Sequence, residues 1–434
     1  MTSSVDQIAA SLLGYDPKSL RADHVLAFLQ RLIEPVREID HVGVFDALGR
    51  VLAQDVISPV SVPPHDNSAM DGFAFDGRAL VSGDALTLKI IGTAMAGAPW
   101  QGRVGPGETL RIMTGAVMPD GLDTVVPQEL AREQDDTVTI AAGVLSRGDN
   151  RRKLGEDLML GQPALRRGDR LSPAALGLIA SLGIANVPVW RRLKVAYFST
   201  GNEILSLGEA PRAGAVYDSN RYTVFGLLTR LGVQVIDMGV VPDEPTLLES
   251  AFRQAAREAD AVITSGGVSV GEADYTKAMM RKLAGDSGGV VFWRIAMRPG
   301  RPMAVGRIKG GDGPQPRSAV LFGLPGNPVA VMVTFLAFVR PALLQMMGSA
   351  EPAIPMLRAH SQEAIRKKAG RTEYQRGIVS AAPDGSLQVR ITGNQGSGVL
   401  SSMVQANGLI VLGHDQGNVD AGDEVDVMVF DGVI

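Results

Sequence analysis

No cysteine occurs among the 434 residues, so disulfides and thiolate metal sites are excluded. Charge of one sign is lacking too. The 42 Lys and Arg stand against 46 Asp and Glu, a formal net charge of -4, which gives no reason to expect nucleic acid or a membrane surface as partner. The longest apolar run, residues 329–339, contains a threonine and is too short to span a bilayer. It follows Asn327-Pro328, a suitable N-cap and first helical position, and reads as a buried helix. The N-terminus has no basic start followed by an apolar core, so no secretory signal is visible, and the cytoplasm is the expected compartment. No fixed-period repeat and no low-complexity segment stands out. What is present is a globular composition, 45% hydrophobic and 20% charged, in a chain too long for one core.

The stretch over residues 261–277, AVITSGGVSVGEADYTK, organises the rest. Ala261–Thr264 is a β-branched apolar run with the length of a buried strand. Ser265-Gly266-Gly267 breaks it, a loop with Ser269, Glu272 and Asp274 follows, and a helix is predicted from Tyr275 to Leu283. Strand, glycine turn and helix N-terminus together cradle anions, because free N–H groups point at the ligand. An acid at the rim suits a metal that shares phosphate oxygens. The spacing also fits an ordinary βα turn with solvated acids, since it is neither a Walker motif nor G-x-G-x-x-G.

Taken in order, a helix is expected over residues 20–33, then a long Pro/Ser/Asn/Asp-rich loop over 58–72. Short strands separated by turn residues fill 73–143. Ser172-Pro173 starts a further helix, and Pro188 and Trp190 mark a boundary. From Leu193 strands and helices alternate, which implies a mainly parallel sheet covered on both faces. Ligands of such sheets sit beyond the carboxyl ends of the strands. Five polar loops fall there: 199–203, 242–244, 265–274, 298–301 and 324–327. Five such loops favour a functional cleft over five plain surface turns. After Glu351 the pattern returns to short strands. The predicted fold is therefore multidomain α/β plus β, and four units are expected. Residues 1–60 and 149–190 form an N-terminal domain in two segments, 61–148 an inserted β domain, 191–348 the α/β domain and 349–434 a β-barrel-like domain.

Seven motifs in series then resemble one family. DNSAMDGFA (from Asp66), RIMTGAVMPDG (from Arg111), STGNE (from Ser199), SGGVSVGEADYTK (from Ser265), AMRPGRP (from Ala296), GLPGNP (from Gly323) and QGS (from Gln395) look like the molybdopterin molybdenumtransferases, similar also to the E domain of gephyrin. The resemblance implies an elongated homodimer with an active site shared between subunits. It implies a reaction of adenylylated molybdopterin with molybdate, requiring Mg2+ and releasing AMP. A transient contact with the molybdopterin adenylyltransferase is left open. By the same resemblance Asp71, Thr114, Glu203, Asp243 and Asp274 are the catalytic positions, with Glu203, Asp243 and Asp274 as metal ligands. Asp157, Arg294, Arg298, Pro325, Pro328, Arg376 and Ser397 bind substrate. Gly266 and Gly267, with Ser269, offer the phosphate cradle.

Physical chemistry agrees with these roles. Magnesium held by one or two carboxylates plus phosphate oxygens neutralises the phosphates. Guanidinium and hydroxyl donors suit an oxometallate dianion. Three positions depart from the family pattern. Asn202 stands where Asp is frequent, Arg294 and Arg298 stand where Lys is common, and His65 carries no assigned role. Two other classes compete: a gephyrin-like scaffold, disfavoured by the missing linker and companion domain, and a nucleotide pyrophosphatase, disfavoured by the two β regions and the QGS loop.

Overall fold

A computed structural model describes residues 5–268, 275–311, 317–350 and 355–430. At its centre lies a six-stranded sheet in the order Gln234–Val241, Lys194–Thr200, Ala261–Ser265, Ser318–Leu324, Pro302–Lys309, Val290–Arg294. The first four strands run parallel, and Pro302–Lys309 pairs antiparallel with both of its neighbours. Ala261–Ser265 is buried at every position, as a parallel strand covered on both faces requires. Helices Ser219–Leu231 and Pro245–Glu258 return the chain between parallel strands. Asp218 caps the first by accepting from the Arg221 N–H, and Pro245 opens the second. The helix predicted from Tyr275 continues to Gly288.

One apolar core joins this sheet to the N-terminal helix Ala22–Leu32 and to the helical stretch after Asn327. Phe28 meets Trp293 edge to face at 4.9 Å, and the Trp293 indole donates to the Tyr15 hydroxyl at 2.8 Å. The helical stretch runs on past Val339 to give Pro328–Met346, 19 residues, long and apolar enough to cross a membrane by length and composition, yet 83% buried inside the protein. The apolar run read from the sequence ends at Val339, and Pro341 follows it. The structure absorbs the proline with a π turn, Phe335–Val339, whose end bonds Arg340 N–H to the Phe335 carbonyl.

The two halves of the N-terminal region zip together in short antiparallel ladders. Ile39–Gly43 pairs with Asn186–Trp190, Val56–Ile57 with Pro163–Leu165, and Asn67–Ser68 with Arg151–Arg152. The expected boundary at Pro188 and Trp190 is thus a strand. A two-stranded ladder has free edges, where a proline without an N–H is tolerated. The ladders lead to a second six-stranded sheet, ordered Thr124–Pro127, Gly72–Phe75, Glu108–Ile112, Leu86–Ala94, Thr137–Ile140, Ala131–Gln134. Alternate residues of Gly72–Phe75 feed opposite clusters, Ala74 one and Phe73 with Phe75 the other.

The C-terminal strands close into a barrel. Thr372–Ala381 pairs with Leu387–Ile391, which pairs with Leu357–Ser361, then Glu424–Val429, then Gly408–Leu412, and back to Thr372–Ala381. The strand Leu357–Ser361 was not foreseen. A parallel bridge of Met297–Arg298 to Thr372–Glu373 fastens the barrel to the α/β sheet.

Candidate active site

The parallel strands end at a cleft of about 950 Å³, bounded on the far side by the barrel. The glycine turn after Ala261–Ser265 forms part of its floor. Gly266 and Gly267 both line the cleft and adopt φ of 92° and 65°, the left-handed region that glycine enters freely. Space excludes a side chain as well. A Cβ on Gly266 would lie 2.6 Å from the Thr200 carbonyl, and one on Gly267 would lie 2.5 Å from the Thr276 side chain. Beneath the turn, the buried Tyr197 hydroxyl joins Ser199 and Ser265 at 2.9 and 2.7 Å. Burial raises the Tyr197 pKa, so this floor stays protonated and uncharged. Ser269 and Asp274 lie outside the described residues.

The loop after Lys194–Thr200 brings Glu203 to the cleft wall. Its carboxylate occupies the space that a Cβ on Gly201 would fill, 2.7 Å away. Asn202, the residue that replaces a carboxylate, accepts the Asp243 N–H at 3.2 Å. It therefore ties the two acidic loops together, a role an amide oxygen performs without adding charge.

The GLPGNP loop forms the opposite lip. Its Gly326 carbonyl is held by the Asn220 amide at 2.7 Å. Asn327 was expected to cap the following helix with its side chain. Instead its amide donates to the Ser397 hydroxyl at 3.2 Å, and the Val329 N–H donates to the Ser397 carbonyl at 3.1 Å. A first-turn helix donor is thereby satisfied from another domain. Pro325 and Ser397 line the cleft, whereas Pro328 sits behind it as the first residue of its helix.

Arg298 lines the cleft, but Arg376 is 1% exposed. Its Nε donates to Ser402 Oγ at 3.0 Å, and its Nη2 donates to the carbonyls of Asn394 and Gly396 at 3.2 and 3.0 Å. Burial, with the like charge of Arg298, lowers its pKa to about 10. Its Nη2 thus holds the glycine-rich loop that presents Ser397, while its Nε ties to the helix that follows. Arg376→Ala removes the donor from three acceptors, the buried Ser402 hydroxyl and the two loop carbonyls, at a cost of about 1–3 kcal/mol. A lower melting temperature, with faster hydrogen exchange confined first to residues 394–398, is the expected result; an unchanged melt would show that the loop does not depend on this guanidinium.

Asp71 and Thr114 come together elsewhere, at one end of two neighbouring inner strands of the inserted sheet. The Thr114 N–H and hydroxyl both donate to Asp71 Oδ1, at 2.6 and 2.7 Å. These bonds, the backbone one foremost, lower the Asp71 pKa. Within the single chain neither residue lines the cleft. Nor do Asp157, exposed in the N-terminal region with its N–H to the Val62 carbonyl, or Arg294, exposed at a strand end. Asp243 likewise stands beside the lining, not in it.

Sequence reading passed over three cations of the wall: Arg301, Lys368 and Arg371. Arg301 was inside the quoted AMRPGRP motif, and the other two precede the QRG strand in KKAGR. Among the described residues no group of three or more acidic or histidine side chains is placed to enclose a metal, so an all-protein cage is not present there. A magnesium shared with phosphates needs only one or two carboxylates. Glu203 and Asp243, on loops joined through Asn202, fit that demand.

Three stretches of the chain match family models. Residues 20–183 match the MoeA N-terminal region (domain I and II), 196–345 the probable molybdopterin binding domain, and 358–430 the MoeA C-terminal region (domain IV). The chain is 40% identical over 395 residues to the molybdopterin molybdenumtransferase of Haemophilus influenzae, covering 91% of this chain and 94% of that one. It is 34% identical to the protein of that name from Nostoc, over 91% of this chain and 90% of the relative. The crystal structure of a molybdopterin biosynthesis moeA protein from Pyrococcus horikoshii superposes with a TM-score of 0.78 at 26% identity, covering 95% of this chain and all of that one.

Proposed function

Since the chain belongs to the molybdopterin molybdenumtransferase family and is a transferase of molybdenum cofactor biosynthesis, we propose that it transfers molybdenum from molybdate to adenylylated molybdopterin, with magnesium-dependent release of AMP. The observation that carries this reading is the meeting of Glu203, the Gly266-Gly267 turn, Arg298 and Ser397 around one cleft. A carboxylate, a phosphate cradle, a guanidinium and a hydroxyl are the parts that cleavage of a phosphoanhydride beside an oxyanion needs.

Gly266 and Gly267 let the phosphates approach the backbone closely. Arg298 and the Ser397 hydroxyl hold molybdate, the metal-bearing substrate, by charge-assisted hydrogen bonds. Glu203 and Asp243, with Asp274 as the third expected acid, would hold Mg2+. That ion supplies charge neutralisation at the phosphates. The adenylyl–phosphate bond breaks as water, or a molybdate oxygen whose P–O–Mo link is then hydrolysed, attacks phosphorus and AMP leaves; the two dithiolene thiols displace one molybdate oxygen, which departs with their two protons as water. Asp71 and Thr114, bonded to each other away from the cleft, act on a partner subunit's cleft in a homodimer. The cytoplasm is the proposed compartment.

AMP release from adenylylated molybdopterin, measured with magnesium and with or without molybdate, tests the reading. Release that requires molybdate is expected. Release indifferent to molybdate would replace the transferase with a pyrophosphatase.

A further inference from the structure

The barrel rim adds a device that the family motifs do not mark. Arg371 lines the cleft with its side chain 35% exposed. Its Nε and Nη2 both lie against one oxygen of Glu373, Oε1, at 2.7 and 2.6 Å. The other oxygen, Oε2, accepts the Gln375 amide at 3.0 Å. Glu373 is 2% exposed and Gln375 8%, so this carboxylate is fixed from below on both oxygens. Backbone pairing sets the register: Met297 lies opposite Thr372 and Arg298 opposite Glu373, and the Thr372 N–H donates to the Ala296 carbonyl at 2.8 Å. Arg371 is thereby stationed one residue from the strand that carries Arg298, on the same cleft.

A guanidinium with one edge clamped keeps Nη1 for another acceptor. Among the described residues no partner takes Nη1. The geometry is that of a pre-organised oxyanion donor, in which the freedom a long side chain loses on binding has already been given up. We infer that Arg371 is a substrate-binding residue that donates through Nη1 to a tetrahedral oxyanion in the cleft, and that Glu373 is its positioning residue. Lys368, which also lines the cleft, adds long-range attraction for the same anion. The ligand class is a tetrahedral dianion, supplied either by the phosphoryl group of the nucleotide or by the oxometallate. This inference rests on the proposed reading of the cleft.

The role of Glu373 has a sign that tests it. Simple electrostatics predicts that removing a negative charge beside the cation tightens anion binding. Positioning predicts the reverse. Calorimetric titration of the full-length protein with AMP, and separately with inorganic molybdate, decides between them. Arg371→Gln is expected to weaken binding of one or both probes about tenfold, the loss of one charge-assisted hydrogen bond, and to flatten the dependence of log Kd on salt. Glu373→Gln is expected to weaken the same probe while leaving the salt dependence near that of the unmodified protein, and the double variant should lose no more than Arg371→Gln alone. Arg371→Lys keeps charge without the clamped edge and should fall between.

Loss for AMP only assigns the site to phosphoryl, and loss for molybdate only to the oxometallate. Unmodified protein that binds neither probe overturns the reading of the cleft itself. Unmodified protein that binds while Arg371→Gln binds equally well overturns the role of Arg371 alone. Tighter binding by Glu373→Gln overturns the positioning role. Should Glu373→Gln melt too low to titrate, Arg371→Gln and Arg371→Lys carry the test.

Discussion

Gly266→Ala is expected to abolish AMP release to within about one-hundredth of the unmodified rate while the protein still folds. The backbone at Gly266 has φ 92°, and a methyl group would stand 2.6 Å from the Thr200 carbonyl. A side chain in that conformation costs about 1–2 kcal/mol, and the overlap adds about 1–3 kcal/mol more. Neither sum unfolds a protein of ordinary stability, but the only relief is to separate the glycine turn from the Thr200 end of its neighbouring strand. That strand leads directly into Glu203, so the phosphate cradle and the acid are displaced together. The check is a rate measured beside a thermal melt. A rate near that of the unmodified protein, with a lowered melting temperature, would show that the turn is structural and that phosphate binds elsewhere.

Asp71→Ala and Glu203→Ala should each lose about a hundredfold or more in rate when pure, the usual cost of removing a charged group aimed at a reacting centre. Mixed after subunit exchange, they should regain about a quarter of the unmodified rate. Random pairing makes half the dimers mixed, and each mixed dimer rebuilds one of its two sites. The expectation comes from placement. Glu203 lines the cleft, while Asp71 and Thr114 bond to each other at the strand ends of the inserted sheet and line no part of it. Exposed, with its pKa lowered by two donors on one oxygen, Asp71 stays ionised and is oriented by Thr114 before any partner arrives. Absence of recovery despite verified exchange would place the complete site within one chain and remove the reason for pairing these residues across a dimer.

Much of the central domain was legible because its signals are local. A β-branched run, a glycine pair and helices opened by Asp218 or Pro245 are written in consecutive residues, and each appears where periodicity and capping put it. The helix after Asn327 was read only as far as its apolar run extends, to Val339, and the π turn that accommodates Pro341 leaves no mark in local pattern. Asn327 itself could serve as a cap from sequence alone. Its partner turned out to be Ser397, 70 residues away.

The site divides along the same line. Residue types and motif order determined the chemistry on offer: acids after strand ends, paired glycines, guanidinium groups before prolines. They also determined the fold class, since period-two and period-3.6 patterns are set by backbone geometry. Tertiary structure alone decided which charges face the cleft. Arg376, chosen by motif as an anion ligand, is buried and spends two nitrogens on carbonyls and a hydroxyl, while Arg371, five residues earlier on the same strand's approach, is clamped at the wall. Arg371 stands just before the strand Thr372–Ala381 and Arg376 within it. Side-chain direction, burial and competing acceptors separate them: Arg376 meets its acceptors as the barrel closes on itself, and Arg371 comes to face the cleft as the barrel docks on the sheet.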